Sequence, residues 1–201
     1  MQRTLMIGLS LVLAGLLVWI GWFWQPIVPF ERCEESPALA ASPQGGDFTL
    51  DSAQGPVSLQ DFRGQVVLLY FGYTWCPDIC PTSLGFTSLA LGTLSPEALS
   101  RVQSLFVSVD PERDSLARLK EYAAYFHPKI LGLTGAPAEL ARAAKQYGAA
   151  YRKVAQVAEH GYAVDHSADT YLIDPMGRLV EVIPHGTPPP ELVKLIRRYL
   201  D

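Results

Sequence analysis

Val66-Val67-Leu68-Leu69-Tyr70-Phe71 is an unbroken apolar run. A strand with one face in water alternates apolar and polar side chains, so a run without alternation demands cover on both faces. Such a strand lies inside a sheet, with helices or loops packed above and below it. Val102 to Val109 reads as a second buried strand. Two doubly buried strands separated by a helical stretch place the chain in the α/β class. With 49% hydrophobic and 18% charged residues, the chain has the material for a substantial core.

The remaining punctuation fits that class. Phe48-Thr49-Leu50 and Val57-Ser58-Leu59 read as short strands around a turn at Gly55-Pro56. Leu84 to Leu94 suits a helix. Ser115 to Phe126 suits another, with Leu116, Leu119, Tyr122 and Ala123 as its apolar positions. Ile130 to Leu133 is a brief strand and Pro137 to Tyr147 a helix. Thr170 to Ile173 and Leu179 to Ile183 flank the turn Asp174-Pro175-Met176-Gly177 and form a hairpin, and Pro190 to Leu200 closes the chain with a helix. The expected sheet has a parallel part and an antiparallel edge. No internal repeat is visible.

The amino-terminal residues are of another kind. No charge occurs from Leu5 to Trp24, and twenty helical residues reach about 30 Å, the thickness of a bilayer's hydrocarbon core. Trp19, Trp22 and Trp24 gather at the far end, where amphipathic rings favour the membrane boundary. Arg3 precedes the run, while Glu31, Arg32, Glu34 and Glu35 follow it, which predicts a cytoplasmic amino terminus and an exported remainder. The organisation expected is therefore a transmembrane anchor over 1–24, a flexible tether over 25–46 rich in Pro and Gly, and a folded domain over 47–201. A cleaved signal peptide is the competing reading, with Ala38-Leu39-Ala40 as the cleavage site, but that tripeptide lies well beyond an apolar run already too long for a signal core. Cys33 lacks the small apolar neighbours of a lipoprotein site and reads as a spare linker thiol. A net charge of −4 without a basic block argues against nucleic acid as a partner. No Arg-rich, acidic-poor transit segment precedes the run, so the expected location is a bacterial inner membrane, single-pass, with the carboxy-terminal domain in the periplasm.

The chemistry concentrates in Tyr70-Phe71-Gly72-Tyr73-Thr74-Trp75-Cys76-Pro77-Asp78-Ile79-Cys80-Pro81. A buried strand ends, a turn follows, and two cysteines stand where a helix should begin. The unpaired N–H groups and dipole of a helix N-terminus stabilise a thiolate, which is both nucleophile and metal ligand. A spacing of four predicts both sulfurs on one helical face, with Cα atoms about 6 Å apart, so the pair can hold a soft metal or close into a disulfide. A purely stabilising disulfide here would enclose almost no chain. Two thiolates suit Cu(I), whereas structural zinc wants four ligands and no second cysteine pair exists. Val164-Asp165-His166-Ser167, just before the strand Thr170 to Ile173, supplies the strongest candidate for a third ligand. His166 would complete a two-sulfur, one-nitrogen set able to hold Cu(I) or Cu(II). His127 at a helix end, His160 and His185 in turns, and Met176 in the hairpin read as ordinary surface residues. Asp165 has two open readings, an acceptor that orients the imidazole or a solvent-facing carboxylate.

Three segments, Phe71 to Pro81, Ser108-Val109-Asp110-Pro111-Glu112-Arg113-Asp114 and Val164 to Ser167, resemble in order the signatures of the Sco/SenC family, over roughly residues 45 to 200. The resemblance implies a thioredoxin-like fold with an amino-terminal anchor and copper held by Cys76, Cys80 and His166. It also implies a metallochaperone role in loading the binuclear copper centre of cytochrome c oxidase subunit II, with an upstream copper donor and a redox partner for the pair. The alternative it leaves is a thiol–disulfide oxidoreductase that reduces the cysteines of that centre. Oxidoreductases of the thioredoxin type separate their cysteines by two residues and carry a proline before the facing strand. Here three residues intervene and Asp165 to Thr170 holds no proline, which favours metal binding. Asp110 to Asp114 also has a structural reading, in which Asp110 ends a strand and Asp114 or Ser115 caps the next helix. Tyr73 and Trp75 are expected to pack around the site.

Overall fold

A computed structural model describes residues 43–155 and 161–200, together with Leu16, Val18 and Trp19. Those three are helical and exposed. Among the described residues no helix is long and apolar enough to cross a membrane. The expected anchor, most of the tether, Cys33 and His160 lie outside the described residues.

The two strands read as buried are the centre of the sheet. β3 (Val66–Gly72) pairs in parallel with β4 (Val102–Ser108), which pairs in parallel with β5 (Ile130–Leu133). On its other edge β3 pairs antiparallel with β8 (Thr170–Ile173), and β8 with β9 (Leu179–Ile183), giving the order β5-β4-β3-β8-β9. Every residue of β3 is buried, as a strand with neighbours on both edges and cover on both faces must be. Its Leu68, Leu69 and Phe71 share the core with Leu105, Phe106 and Leu172. The helices are α1 (Ile79–Gly92), α2 (Pro96–Ser100), α3 (Leu116–Phe126), α4 (Pro137–Tyr147) and α5 (Pro189–Arg198). α1 packs against α5, and α3 against β5.

Two hairpins stand apart from this sheet. β1 (Thr49–Ser52) pairs with β2 (Gly55–Ser58), so the turn falls at Ala53-Gln54 and not at Gly55-Pro56. Pro56 sits within β2, an edge position where its missing N–H costs no ladder bond. Asp51 exchanges two backbone hydrogen bonds with Thr134, at 2.7 and 3.0 Å, and so shields the outer end of the sheet beyond β5. The second hairpin, β6 (Tyr151–Ala155) with β7 (Tyr162–His166), was not anticipated. Its half-buried residues are mixed with exposed Arg152, Lys153 and Asp165 and buried Val164, which leaves little periodicity to read.

Helix starts also moved. α1 begins five residues before Leu84, and the short α2 follows the N-cap of Ser95, whose hydroxyl accepts from Ala98 N–H. Ser115 caps α3 by accepting from Arg118 N–H. Asp114 does not cap it and turns inward.

Gly132 marks the tightest strand–helix approach. A Cβ there would lie 2.6 Å from the Leu119 carbonyl oxygen and 2.9 Å from its carbon, both backbone atoms that cannot yield. Gly132→Ala should therefore lower unfolding stability by about 1–3 kcal/mol. Urea denaturation tests this, and unchanged stability would show that α3 can move off β5.

Candidate metal centre

The site begins at the carboxyl end of β3. From there the chain turns through Tyr73 to Asp78 before α1, and a buried carboxylate holds that turn. Asp114, 1% exposed, accepts from Thr74 N–H at 2.8 Å, from the Thr74 hydroxyl at 2.6 Å and from the Ser108 hydroxyl at 2.6 Å. The Arg118 guanidinium donates to the Thr74 hydroxyl oxygen and lies over the Trp75 ring, 4.5 Å from its centroid. Cys76 N–H closes the turn on the Tyr73 carbonyl at 3.3 Å.

Cys76 thus stands before the helix, and only Cys80 lies within it. The shared helical face expected from the spacing is replaced by a cap. Asp78, at the N-cap position, makes no side-chain capping bond. The Cys80 N–H instead donates to the Cys76 sulfur at 3.4 Å, so the sulfur occupies the place of a capping oxygen at the positive end of α1. Cys80 Sγ lies fully buried beneath it, in space left by Gly72, where a Cβ would meet it at 2.6 Å.

The third group arrives from β7. His166 is the last residue of that strand, not part of a loop, and its Nε2 lies 3.3 Å from Cys80 Sγ. Its Nδ1 faces the Ser167 carbonyl oxygen at 2.9 Å. A carbonyl can only accept, so Nδ1 carries the proton and Nε2 presents a lone pair toward the sulfurs. The Tyr73 ring meets the imidazole edge-on, with centroids 5.7 Å apart. One donor atom from each of Cys76, Cys80 and His166 lies within 4.8 Å of the others. An open cavity of about 380 Å³ bordered by Tyr73, Pro77, Ile79 and Val164 gives access to Cys76 and His166.

The electrostatics divide the two thiols. The hydrogen bond from Cys80 holds the Cys76 thiol well below the usual range, against the effect of burial, and the neighbouring His166, which can donate from Nε2 once its ring is charged, and the Cys80 and Asp78 N–H groups add to it. Burial pushes the Cys80 thiol up, and the neighbouring Cys76 sulfur pushes it further. For His166, burial disfavours the charged ring, but the bonds to Cys76 and to the Ser167 carbonyl outweigh it and raise its pKa. The imidazole responds to Cys76 because that sulfur carries the charge. The result is a thiolate at the surface, a protonated thiol beneath it and a basic nitrogen alongside. Both cysteines are free.

Other residues fall where physics places them. Asp165 does not orient His166: alternation along β7 turns it to the opposite face, where it pairs with Arg152 at 3.0 Å. His127 ends α3 and accepts from Lys129 N–H, and Met176 is exposed in its turn. His185 bonds Ser83 at 2.9 Å and is not among the three grouped donors. Asp110 is fully buried, pairs with Arg113 and accepts from the Tyr162 hydroxyl at 2.7 Å, tying β7 to the loop after β4. The Arg113 guanidinium lies 3.7 Å from the Tyr162 ring centroid and reinforces that tie. Only the repeated acids of Asp110-Pro111-Glu112-Arg113-Asp114 hinted at this support.

Comparison with known proteins agrees with this geometry. The SCO1/SenC family profile matches residues 36–201. The mitochondrial protein SCO2 homolog of Mus musculus is 37% identical over 205 residues, covering 98% of this chain and 79% of its own. Copper-bound ScoI of Bradyrhizobium japonicum superposes with a TM-score of 0.71 at 39% identity, over 78% of this chain and 99% of that one. BsSco, described as a Sco-family cytochrome c oxidase assembly protein with a disulfide switch, superposes with a TM-score of 0.62 at 25% identity, over 79% of this chain and 94% of that one. The mixed α/β fold is the Sco fold and is consistent with a thioredoxin-like arrangement. By profile, by relative and by fold, this chain belongs to the SCO1/SenC family.

Proposed function

We propose that the chain is a copper metallochaperone that carries one copper ion on Cys76, Cys80 and His166. Its recipient in this reading is the binuclear copper centre of cytochrome c oxidase subunit II. The observation that carries the reading is the meeting of two sulfurs and one imidazole nitrogen within 4.8 Å. Two soft thiolates favour Cu(I), and the nitrogen makes the set acceptable to Cu(II). The copper-bound relative and the oxidase-assembly relative point the same way. Copper is cargo here, so an upstream donor must load it and the recipient must take it. Loading displaces the Cys80 proton, while Cys76 is already a thiolate.

A second reading is favoured by the unequal thiols. A Cys76 thiolate could attack a disulfide of the recipient, forming a mixed disulfide and expelling one thiolate. Cys80 would then resolve it, leaving a Cys76–Cys80 disulfide and a dithiol on the target, a two-electron exchange that needs an external reductant to reset. His166 has no necessary part in that exchange, so it separates the two readings.

Residues 1–24 complete the picture as a membrane anchor and 25–46 as a tether, with 47–201 as the exported copper-binding domain. Support comes from the uncharged stretch Leu5 to Trp24, from Arg3 before it and from the acidic residues after it. A bacterial inner membrane with this domain in the periplasm is the setting proposed. A periplasm-dependent reporter fused after Asp201 should be active, and cytoplasmic activity would reverse the topology.

The purified, reduced chain should bind one copper, and His166→Ala should weaken Cu(II) binding by more than about 100-fold. Equilibrium competition with unchanged Cu(I) and Cu(II) affinities in His166→Ala would remove the third ligand. Turnover of an insulin disulfide at thioredoxin-like rates would install the reductase reading instead. The lowered Cys76 pKa also predicts alkylation that stays fast near about pH 6, where an ordinary thiol is almost wholly protonated, because its thiolate is lost only as pH falls through the depressed value. Cys80 should resist alkylation until the protein unfolds. Mass spectrometry after timed labelling distinguishes the sites, and equal reactivity would contradict the division of the thiols.

A further inference from the structure

Tyr70 lies on β3, two residues before Gly72, and no role described so far uses it. It is 3% exposed, and its ring stacks on Phe106 with centroids 6.3 Å apart. The same ring meets His166 edge-on at 6.1 Å, and its hydroxyl points at Cys80 Sγ, 3.9 Å away. One buried side chain therefore touches two of the three donor groups.

A polar arm continues behind it. Ser83 follows Cys80 by one turn of α1, and its hydroxyl pairs with His185 Nδ1 at 2.9 Å. The Ser83 side chain also lies within interaction range of the Tyr70 oxygen. When His185 donates to Ser83, the Ser83 hydroxyl is free to turn its proton toward the Tyr70 oxygen, and the Tyr70 hydroxyl donates to sulfur.

A thiolate bound to Cu(II) gives more of its electron density to the metal than one bound to Cu(I). A donor at the sulfur therefore stabilises the Cu(I) form more, and hydrogen bonding around a cysteine ligand tunes a copper potential in this way. We propose that Tyr70 is a positioning residue of the copper site, whose hydroxyl donates to the Cys80 thiolate and favours Cu(I) over Cu(II), with Ser83 and His185 aligning that hydroxyl. The inference rests on the copper reading of Cys76, Cys80 and His166.

Tyr70→Phe keeps the ring and removes the donor. The test uses the full chain loaded with one copper, and measures Cu(I) and Cu(II) affinities by competition and the thiolate-to-Cu(II) absorption band. The ratio of Cu(II) to Cu(I) affinity should rise about tenfold, the worth of one hydrogen bond to a charged group. For a one-electron couple that is a fall in potential of about 59 mV. The absorption band should move to longer wavelength, and Ser83→Ala should shift both readouts the same way by less. Loss of a merely structural residue would weaken both oxidation states alike and leave the ratio unchanged. A wild-type ratio and band in Tyr70→Phe overturns the inference, and if that variant does not fold, the same result in Ser83→Ala does so. Failure of the wild-type chain to bind copper sinks the copper reading itself, a separate and earlier result.

Discussion

The turn between β3 and α1 has little regular backbone pairing of its own, so its shape depends on the Asp114 carboxylate. That group lies buried between the ends of β4 and α3 and takes three hydrogen bonds, two of them from Thr74. Hydrogen bonds to a buried charge are stronger than neutral ones and costly to leave unmade. Holding Thr74 sets the start of the turn that delivers Cys76 to the head of α1. The rest of the site follows from that placement, because the helix's first amides then meet a sulfur.

That meeting makes the two cysteines different. Cys76 rests at the positive end of a helix with access to solvent, while Cys80 is sealed under it against Gly72 and Tyr70. A nucleophilic or metal-binding thiolate is available at the surface, and the second sulfur stays protonated until something replaces its proton. His166 is brought to both by a hairpin tied down by Tyr162, Asp110 and Arg113, well away from the sulfurs in sequence. The motif around Asp110 to Asp114 thus serves the site from two sides, through Thr74 and through β7.

The legible parts of the fold were those with unambiguous periodicity or chemistry. β3 announced itself by an apolar run and β4 by its β-branched and aromatic residues, the β8–β9 hairpin by its turn residues, and α3 and α4 by Ser115 and Pro137 at their starts. The β6–β7 hairpin stayed hidden because a half-buried ribbon paired only with itself has neither a continuous apolar run nor clean alternation. Asp165 could be read two ways from its neighbour, and only the alternation of a strand that the sequence did not reveal sends it away from His166.

What the sequence by itself determined is the class of fold, the family resemblance and the three candidate donor residues, the cysteines by type and spacing and His166 by its place before a strand and by the resemblance. What the tertiary structure decided is how those donors differ. A spacing of four reads equally as one helical face or as a cap followed by a helix, and the buried Asp114 and the start of α1 select the cap. Which sulfur is charged, which nitrogen of His166 is free and which phenol approaches Cys80 all depend on burial and on the backbone geometry around each group. Local pattern does not fix these properties, because burial and the backbone geometry that aims each local bond are set when distant segments pack.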